Sequence, residues 1–289
     1  MRTILSSTSK PKKTDTSFWD RRRGTIHTRI GGILFGQAVY SHGYDMMEDL
    51  IGKASYFQVL VLSVTGRLPE RRLADWLEAY FICNSYPDAR IWCNQIGSLA
   101  GSMRSSPVAA TSAGILASDS KMYGPGTVRV GVSFFMEAIA KKRSGMSAEE
   151  IVSGQQRNSK SKPVIIGYAR PVANGDERIV AMEQVTERLG FELGEHLSLA
   201  YEIEKVMHEK SGERMNLLAY ALPFLCDQGY AAQEIYRLLS ARVYAGVLAC
   251  YSEASQEPAE AFFPLQCDDI DYQGQPPREV PGVTHERTC

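Results

Sequence analysis

A chain of 289 residues that is 44% hydrophobic and carries a formal net charge of −1 can bury a sizeable core, as one large domain or as a large and a small one. The near-zero charge excludes the basic footprint of a nucleic-acid binder, and no apolar run reaches the length of a membrane span. Six cysteines, Cys83, Cys93, Cys226, Cys250, Cys267 and Cys289, are scattered without a CxxC pair, the usage of free thiols in a reducing, cytoplasmic setting rather than of a disulfide framework or zinc site.

In chain order, residues 1–16 are rich in Ser, Thr and Lys and read as a disordered tail, without the apolar core of a secretory signal. The basic cluster Arg21-Arg22-Arg23 reads as a solvated or intersubunit feature. A glycine-punctuated stretch, residues 31–52, leads to an apolar run over residues 55–66 with helical spacing. Residues 71–86 and 92–103 read as helices joined by a turn at Pro87-Asp88, and residues 106–118 are small enough for close helix packing. Tyr123-Gly124-Pro125-Gly126-Thr127 then opens an apolar helix through Val130, Phe134, Phe135 and Ala138. Residues 141–161 are charged and rich in Ser and Gln, and read as an exposed loop or helix end.

The densest signal lies in residues 162–178, KPVIIGYARPVANGDER. A β-branched run turns at Gly167, an Arg170-Pro171-Val172 corner follows, and Asn174-Gly175-Asp176 is a turn because Asn and Gly tolerate positive φ. Ile179, Met182, Val185 and Leu189 then recur at helical spacing, so a cation-bearing loop runs into a helix. A charged helical region covers residues 183–210, Asn216-Leu217-Leu218 follows, and residues 241–253 read as a last helix that carries Arg242, Cys250 and Glu253.

These segments, in order from Gly32 to Gly274, resemble the citrate synthase superfamily, and within it the members like citryl-CoA lyase. Residues 43–69, GYDMMEDLIGKASYFQVLVLSVTGRLP, resemble the family's Arg-Gly-Tyr-Asp, Leu-Ile-Gly-Lys, Ser-Phe helix and Thr-Gly-x-Leu-Pro. Residues 162–178 resemble its Gly-Phe-Gly-His-(Arg/Pro)-Val followed by Asp-Pro-Arg, and residues 241–253 its Ala-Arg-Thr-x-Gly-x-x-Ala-His-x-x-Glu helix. The resemblance implies a nearly all-α fold with a large helical domain, residues 17–132 and 237–289, and a smaller helical lid domain, residues 133–236. It also implies a homodimer with sites completed across the interface.

The family's catalytic positions are substituted. Its enolate-stabilising His falls on Tyr123 or on Thr127, according to how the glycines are aligned, and a helix-entry turn with nothing catalytic remains the plain alternative. Its second His is Arg170, and its proton-abstracting Asp is Leu218, which cannot accept a proton. Arg178 and Arg242 match the carboxylate-clamping positions. The Asp-His contact to the oxo acid is missing around Asn84-Ser85, and the terminal Arg-Pro-Arg has become Leu265-Gln266-Cys267, with Arg278 a distant substitute. All five histidines, His27, His42, His196, His208 and His285, lie outside the two catalytic slots.

Two functions from different classes fit. One is an enzyme with rewired chemistry on a carboxylated or CoA-linked substrate, with a CoA thioester as substrate and neither a covalently bound cofactor nor a metal. There Arg170 polarises a carbonyl, and Tyr123 or Thr127 donates to an oxyanion. The other is a non-catalytic binding or regulatory relative. On either reading Arg170, Arg178 and Arg242 form a cationic cluster, and Arg178 and Arg242 are placed to clamp opposite ends of a di- or tricarboxylate.

Overall fold

The computed structural model describes residues 15–121, 123–156, 158, 161–170, 174–278 and 281. The disorder expected of residues 1–14 and the Pro171-Val172 corner lie outside the described residues. The chain divides into two units, the first ending at Leu77 and the second beginning at Glu78. It is nearly all helical, as the sequence indicates, with one exception in the first unit.

That unit starts with a short exposed helix, α1 (Ser17–Asp20), in which Arg22 stacks over the Phe18 ring. The glycine-punctuated stretch is not helical: β1 (Gly31–Leu34), β2 (Ala38–Ser41) and β3 (Tyr44–Asp45) form an antiparallel sheet in that order, with Gly32 opposite Tyr40 and Ser41 opposite Tyr44. The second hairpin turns on His42 and Gly43, both at positive φ, the geometry whose twist matches the strands it joins. Asp45 then accepts from the amides of Met47 and Glu48 and starts the π-helical turn Met46–Leu50. Helix α2 (Tyr56–Thr65) begins at a capping box of Ser55 and Gln58 and stops at left-handed Gly66. Helix α3 (Arg71–Asn84) runs through the division into the second unit.

The second unit holds α4 (Trp92–Ser102), α5 (Pro107–Ser118), α6 (Pro125–Arg143), α7 (Ala148–Ser153), α8 (Glu177–Arg188), α9 (Glu195–Ser211), α10 (Leu217–Asp227), α11 (Ala232–Leu238) and α12 (Tyr244–Gln256). Two expectations need correcting. Residues 141–161 are not simply a loop: Ser147 and Glu150 form a capping box that starts α7, whose Ala148, Ile151 and Val152 are buried. The charged region over residues 183–210 is two helices, because α8 stops after Arg188 and α9 starts at Glu195. Asp227 caps that new start, accepting from the amides of His196 at 2.9 Å and Leu197 at 3.0 Å and from His196 Nδ1 at 2.7 Å.

Two helix clusters organise this unit. α10 is apolar on every side and buried from Leu217 to Cys226 apart from the half-buried Leu218, with α6, α8, α9 and α11 packed against it. The other cluster is α4, α5 and α12. A Cβ at Gly97 would lie 2.5 Å from the Val247 carbonyl oxygen, one at Gly101 2.5 Å from the Tyr251 carbonyl oxygen, and one at Gly114 2.6 Å from Val247 Cγ1. Backbone cannot yield as a flexible side chain does, so Gly101→Ala should lower stability by about 1–3 kcal/mol. Urea unfolding of the variant against the parent chain measures the loss.

Candidate active site

The glycine turn before α6 is fixed by steric exclusion. Gly124 has φ +72°, and a Cβ there would lie 1.9 Å from the Ser118 carbonyl oxygen; at Gly126 it would lie 2.1 Å from that of Ser120. Pro125 supplies the first turn of α6, where its missing N–H is no loss. The Tyr123 amide donates to Ser120 Oγ at 3.0 Å. The Tyr123 ring meets Trp92 edge-on at 6.0 Å between centroids and packs against the core of Cys93, Val243 and Val247. Burial pushes its hydroxyl up to about 12, with the charges of Arg242 and Arg178 pulling the other way. Thr127 is also buried, but its Oγ1 donates to the Gly124 carbonyl at 2.7 Å. Its proton is committed within the turn, whereas the Tyr123 hydroxyl lies within reach of two guanidinium charges.

The loop over residues 162–178 is held by α10. Gly167 has φ +100° because a Cβ would lie 2.6 Å from that of Ala219. Asn216 donates from its amide to the Gly167 carbonyl at 2.8 Å and from Nδ2 to the Ala169 carbonyl at 2.8 Å, while its Oδ1 accepts from the Leu218 amide at 2.9 Å. Leu218 stands half-buried at the start of α10.

Asp176 is the hub of the loop. Its side chain is 0% exposed, it caps α8 by accepting from the Arg178 amide at 3.2 Å, and it accepts from the Leu217 amide at 2.9 Å. Arg178 grips it with two donors, Nε at 2.7 Å and Nη2 at 2.6 Å, and turns Nη1 to the Cys83 carbonyl at 3.1 Å. Burial would raise the Asp176 pKa, but Arg178 and the Leu217 amide together hold it below the ordinary carboxylate range. Arg170 lies 3.7 Å from Asp176 and donates from Nη2 to Glu177 at 3.2 Å, from Nη1 to the other Glu177 oxygen and to the Gly175 carbonyl at 3.4 Å. That pairing raises the Arg170 pKa and lowers that of Glu177. Two of the three expected cations therefore have carboxylates from their own loop, the pairing with acids that makes such a cluster tolerable.

Arg242 differs. It lies between α11 and α12, is 6% exposed, and its Nη1 donates to the Leu239 carbonyl at 3.3 Å. Among the described residues it has no carboxylate partner. Its charge and that of Arg178 act on the buried Tyr80 phenol, whose pKa burial raises. The charges of Arg178 and Arg242 thus act on both phenols, Tyr123 packs on Val243 next to Arg242 in the chain, and Arg170 is joined to Arg178 through Asp176. Tyr80, Asp176 and Glu177 escaped the sequence reading. Tyr80 shows only helical spacing, whereas the acidic pair directly before Arg178 was a legible signal for a cap and a partner.

Cys250 is buried, donates to the Pro87 carbonyl at 3.4 Å and has its thiol pKa raised by burial, and Asn84 Nδ2 donates to the Tyr80 carbonyl, which ends α3. Arg278 sits in an exposed C-terminal segment. A pocket of about 420 Å³ opens on α6 between Arg129, Phe134 and Gln155, and none of the predicted site residues lines it. Among the described residues no group of His, Cys, Asp and Glu is arranged to hold a metal ion.

No protein-family model matches the chain, and no curated protein matches it. Solved structures do. Citryl-CoA lyase from Hydrogenobacter thermophilus superposes with a TM-score of 0.75 at 23% identity, over 89% of this chain and 97% of that one. ATP citrate lyase from Methanothrix soehngenii, in complex with citrate and coenzyme A, gives 0.73 at 16% identity, over 95% of this chain and 47% of that one. Citrate synthase from Thermoplasma acidophilum, in a ternary complex with carboxymethyl coenzyme A and oxaloacetate, gives 0.59 at 16% identity, over 78% of this chain and 59% of that one. The chain shares its fold with these three proteins.

The Asp176 hub has a stability signature. Asp176→Asn leaves the Arg178 fork facing a neutral amide and should lower stability by about 2–3 kcal/mol. Because the folded pKa is depressed, the stabilisation is complete above the ordinary value of 3.8 and disappears as pH falls through the lower folded value. Urea midpoints of parent and variant should therefore converge below about pH 4, within the acid range set by that ordinary Asp pKa.

Proposed function

We propose that this citrate synthase-like chain binds a carboxylated or CoA-linked substrate and makes or breaks a C–C bond of the acyl-CoA condensation or cleavage type. The observation that carries the reading is Arg242: a guanidinium 6% exposed, without a carboxylate partner among the described residues, held beside two phenols. A buried charge is stable only if something compensates it, and a substrate carboxylate fits the planar fork. The fold supports CoA-linked chemistry, since citrate, coenzyme A and carboxymethyl coenzyme A are bound by proteins that share it.

In this reading Arg242 holds the carboxylate and Tyr123 donates a hydrogen bond to the oxyanion of an enolate or carbonyl. Arg178 braces the site through Asp176. Arg170 polarises a carbonyl only by leaving Glu177, whose side chain is 73% exposed and so is a weakly held partner. Proton transfer falls to a tyrosine, to water or to the substrate, because Leu218 fills the base slot. We further propose a lid formed by residues 133–236, a cytoplasmic setting and a homodimer. Helix α5 carries no charge and exposes Val108 at 72% and Leu116 at 77%, and α4 exposes Trp92 and Leu99, a face suited to burial against a second copy.

The second reading, a non-catalytic binding relative, is favoured by Leu218 itself. A missing general base costs about 10²–10⁴ in rate, so turnover of oxaloacetate with acetyl-CoA should fall at least about a thousandfold below a standard citrate synthase. Brisk thiol release in that assay would contradict the substituted site. Mass spectrometry after incubation with CoA thioesters and oxo acids separates the readings: a condensed or cleaved product supports the enzyme. Under both, Arg242→Ala should remove most of the ligand-induced rise in melting temperature while the unliganded fold persists.

A further inference from the structure

The charges around the site limit what it can hold. Three guanidinium groups, Arg170, Arg178 and Arg242, stand against two carboxylates, Asp176 and Glu177, in the same region. The Arg178 fork is engaged by both oxygens of a carboxylate that is 0% exposed and that also holds the Leu217 amide. A ligand carboxylate can take that fork only by displacing Asp176 and leaving it buried without its cation, or by lying beside it as a like charge. Arg170 likewise faces Glu177, with the Asp176 carboxylate 3.7 Å away. Of these three, Arg242 presents a fork with only a backbone carbonyl against it among the described residues.

Next to that fork come neutral groups. The charge of Arg242 acts on the phenols of Tyr80 and Tyr123, and burial raises the pKa of both, so both stay protonated near neutral pH. They offer hydrogen-bond donors and apolar surface rather than a second positive charge.

Building on the reading of this site as a substrate site, we infer that its acid is a monocarboxylate, such as a 2-oxo or 2-hydroxy monoacid, with a neutral group where a di- or tricarboxylate carries its second charge. The single anionic group pairs with Arg242, and the neutral remainder lies against Tyr80 and Tyr123. The internal pairs thus select against polycarboxylates, firmly where buried Asp176 occupies the Arg178 fork and more weakly where exposed Glu177 occupies that of Arg170.

Isothermal titration of the full chain with pyruvate, oxaloacetate and citrate at one ionic strength tests this. Pyruvate should bind at least about tenfold more tightly than citrate, the scale of a single charge-assisted hydrogen bond. Arg242→Gln should weaken pyruvate by about tenfold or more. Glu177→Gln, at a largely exposed side chain, should fold normally and narrow the gap by freeing Arg170 for a second carboxylate. Citrate binding more tightly than pyruvate to the parent chain would overturn the inference while leaving the substrate site in place, as would an unchanged preference in Glu177→Gln. If none of the three acids and no acetyl-CoA binds, the reading of the site fails, and the inference with it.

Discussion

Asp176 joins charge to geometry in this protein. Its carboxylate lies out of solvent, caps α8, receives the first amide of α10 and balances the Arg178 guanidinium. An arginine at a helix N-terminus is unfavourable by itself, since the helix dipole is positive there, and the carboxylate offsets both. Without it the loop over residues 162–178 would keep only the two Asn216 bonds and the Gly167 contact as ties to α10. Each arginine in that loop therefore has its position set by a local acid.

Close helix contact sets the other half of the site. The glycines of α4 and α5 let the backbone and side chain of Val247 approach to distances no larger residue permits. That fixes α12, hence Val243 at its start and Arg242 just before it. Tyr123 packs on Val243 and Val247, so the phenol is registered against the guanidinium by the same contact. The fold thus places its one buried, carboxylate-free cation among the described site residues by packing alone.

The chemistry available differs in kind from imidazole and carboxylate catalysis. Two phenols held protonated by burial and a permanently charged guanidinium stabilise negative charge but do not accept protons near neutral pH. Such a site can bind and polarise strongly, and proton transfer there falls to a tyrosine, to water or to the substrate.

Much of this was legible in residue order. Helix spacing, the Gly-Pro-Gly turn and the motif resemblance follow from local chemistry and chain order, and the fold agrees. The short sheet over residues 31–45 was missed because β1 is exposed and opens on two glycines and β2 is only half-buried, so no apolar alternation marks them. The α7 turn was missed because a capping box of two polar residues looks like loop composition. What the sequence could not decide was which arginines remain without a partner. Asp176 and Glu177 adjoin Arg178 in the chain, yet only the turn at Gly175 and the docking against α10 aim them at Arg178 and Arg170. Arg242 has acids elsewhere in the chain but none within reach among the described residues. Ion pairing depends on distances of a few ångströms between groups that chain order leaves free, so that outcome belonged to the tertiary structure alone.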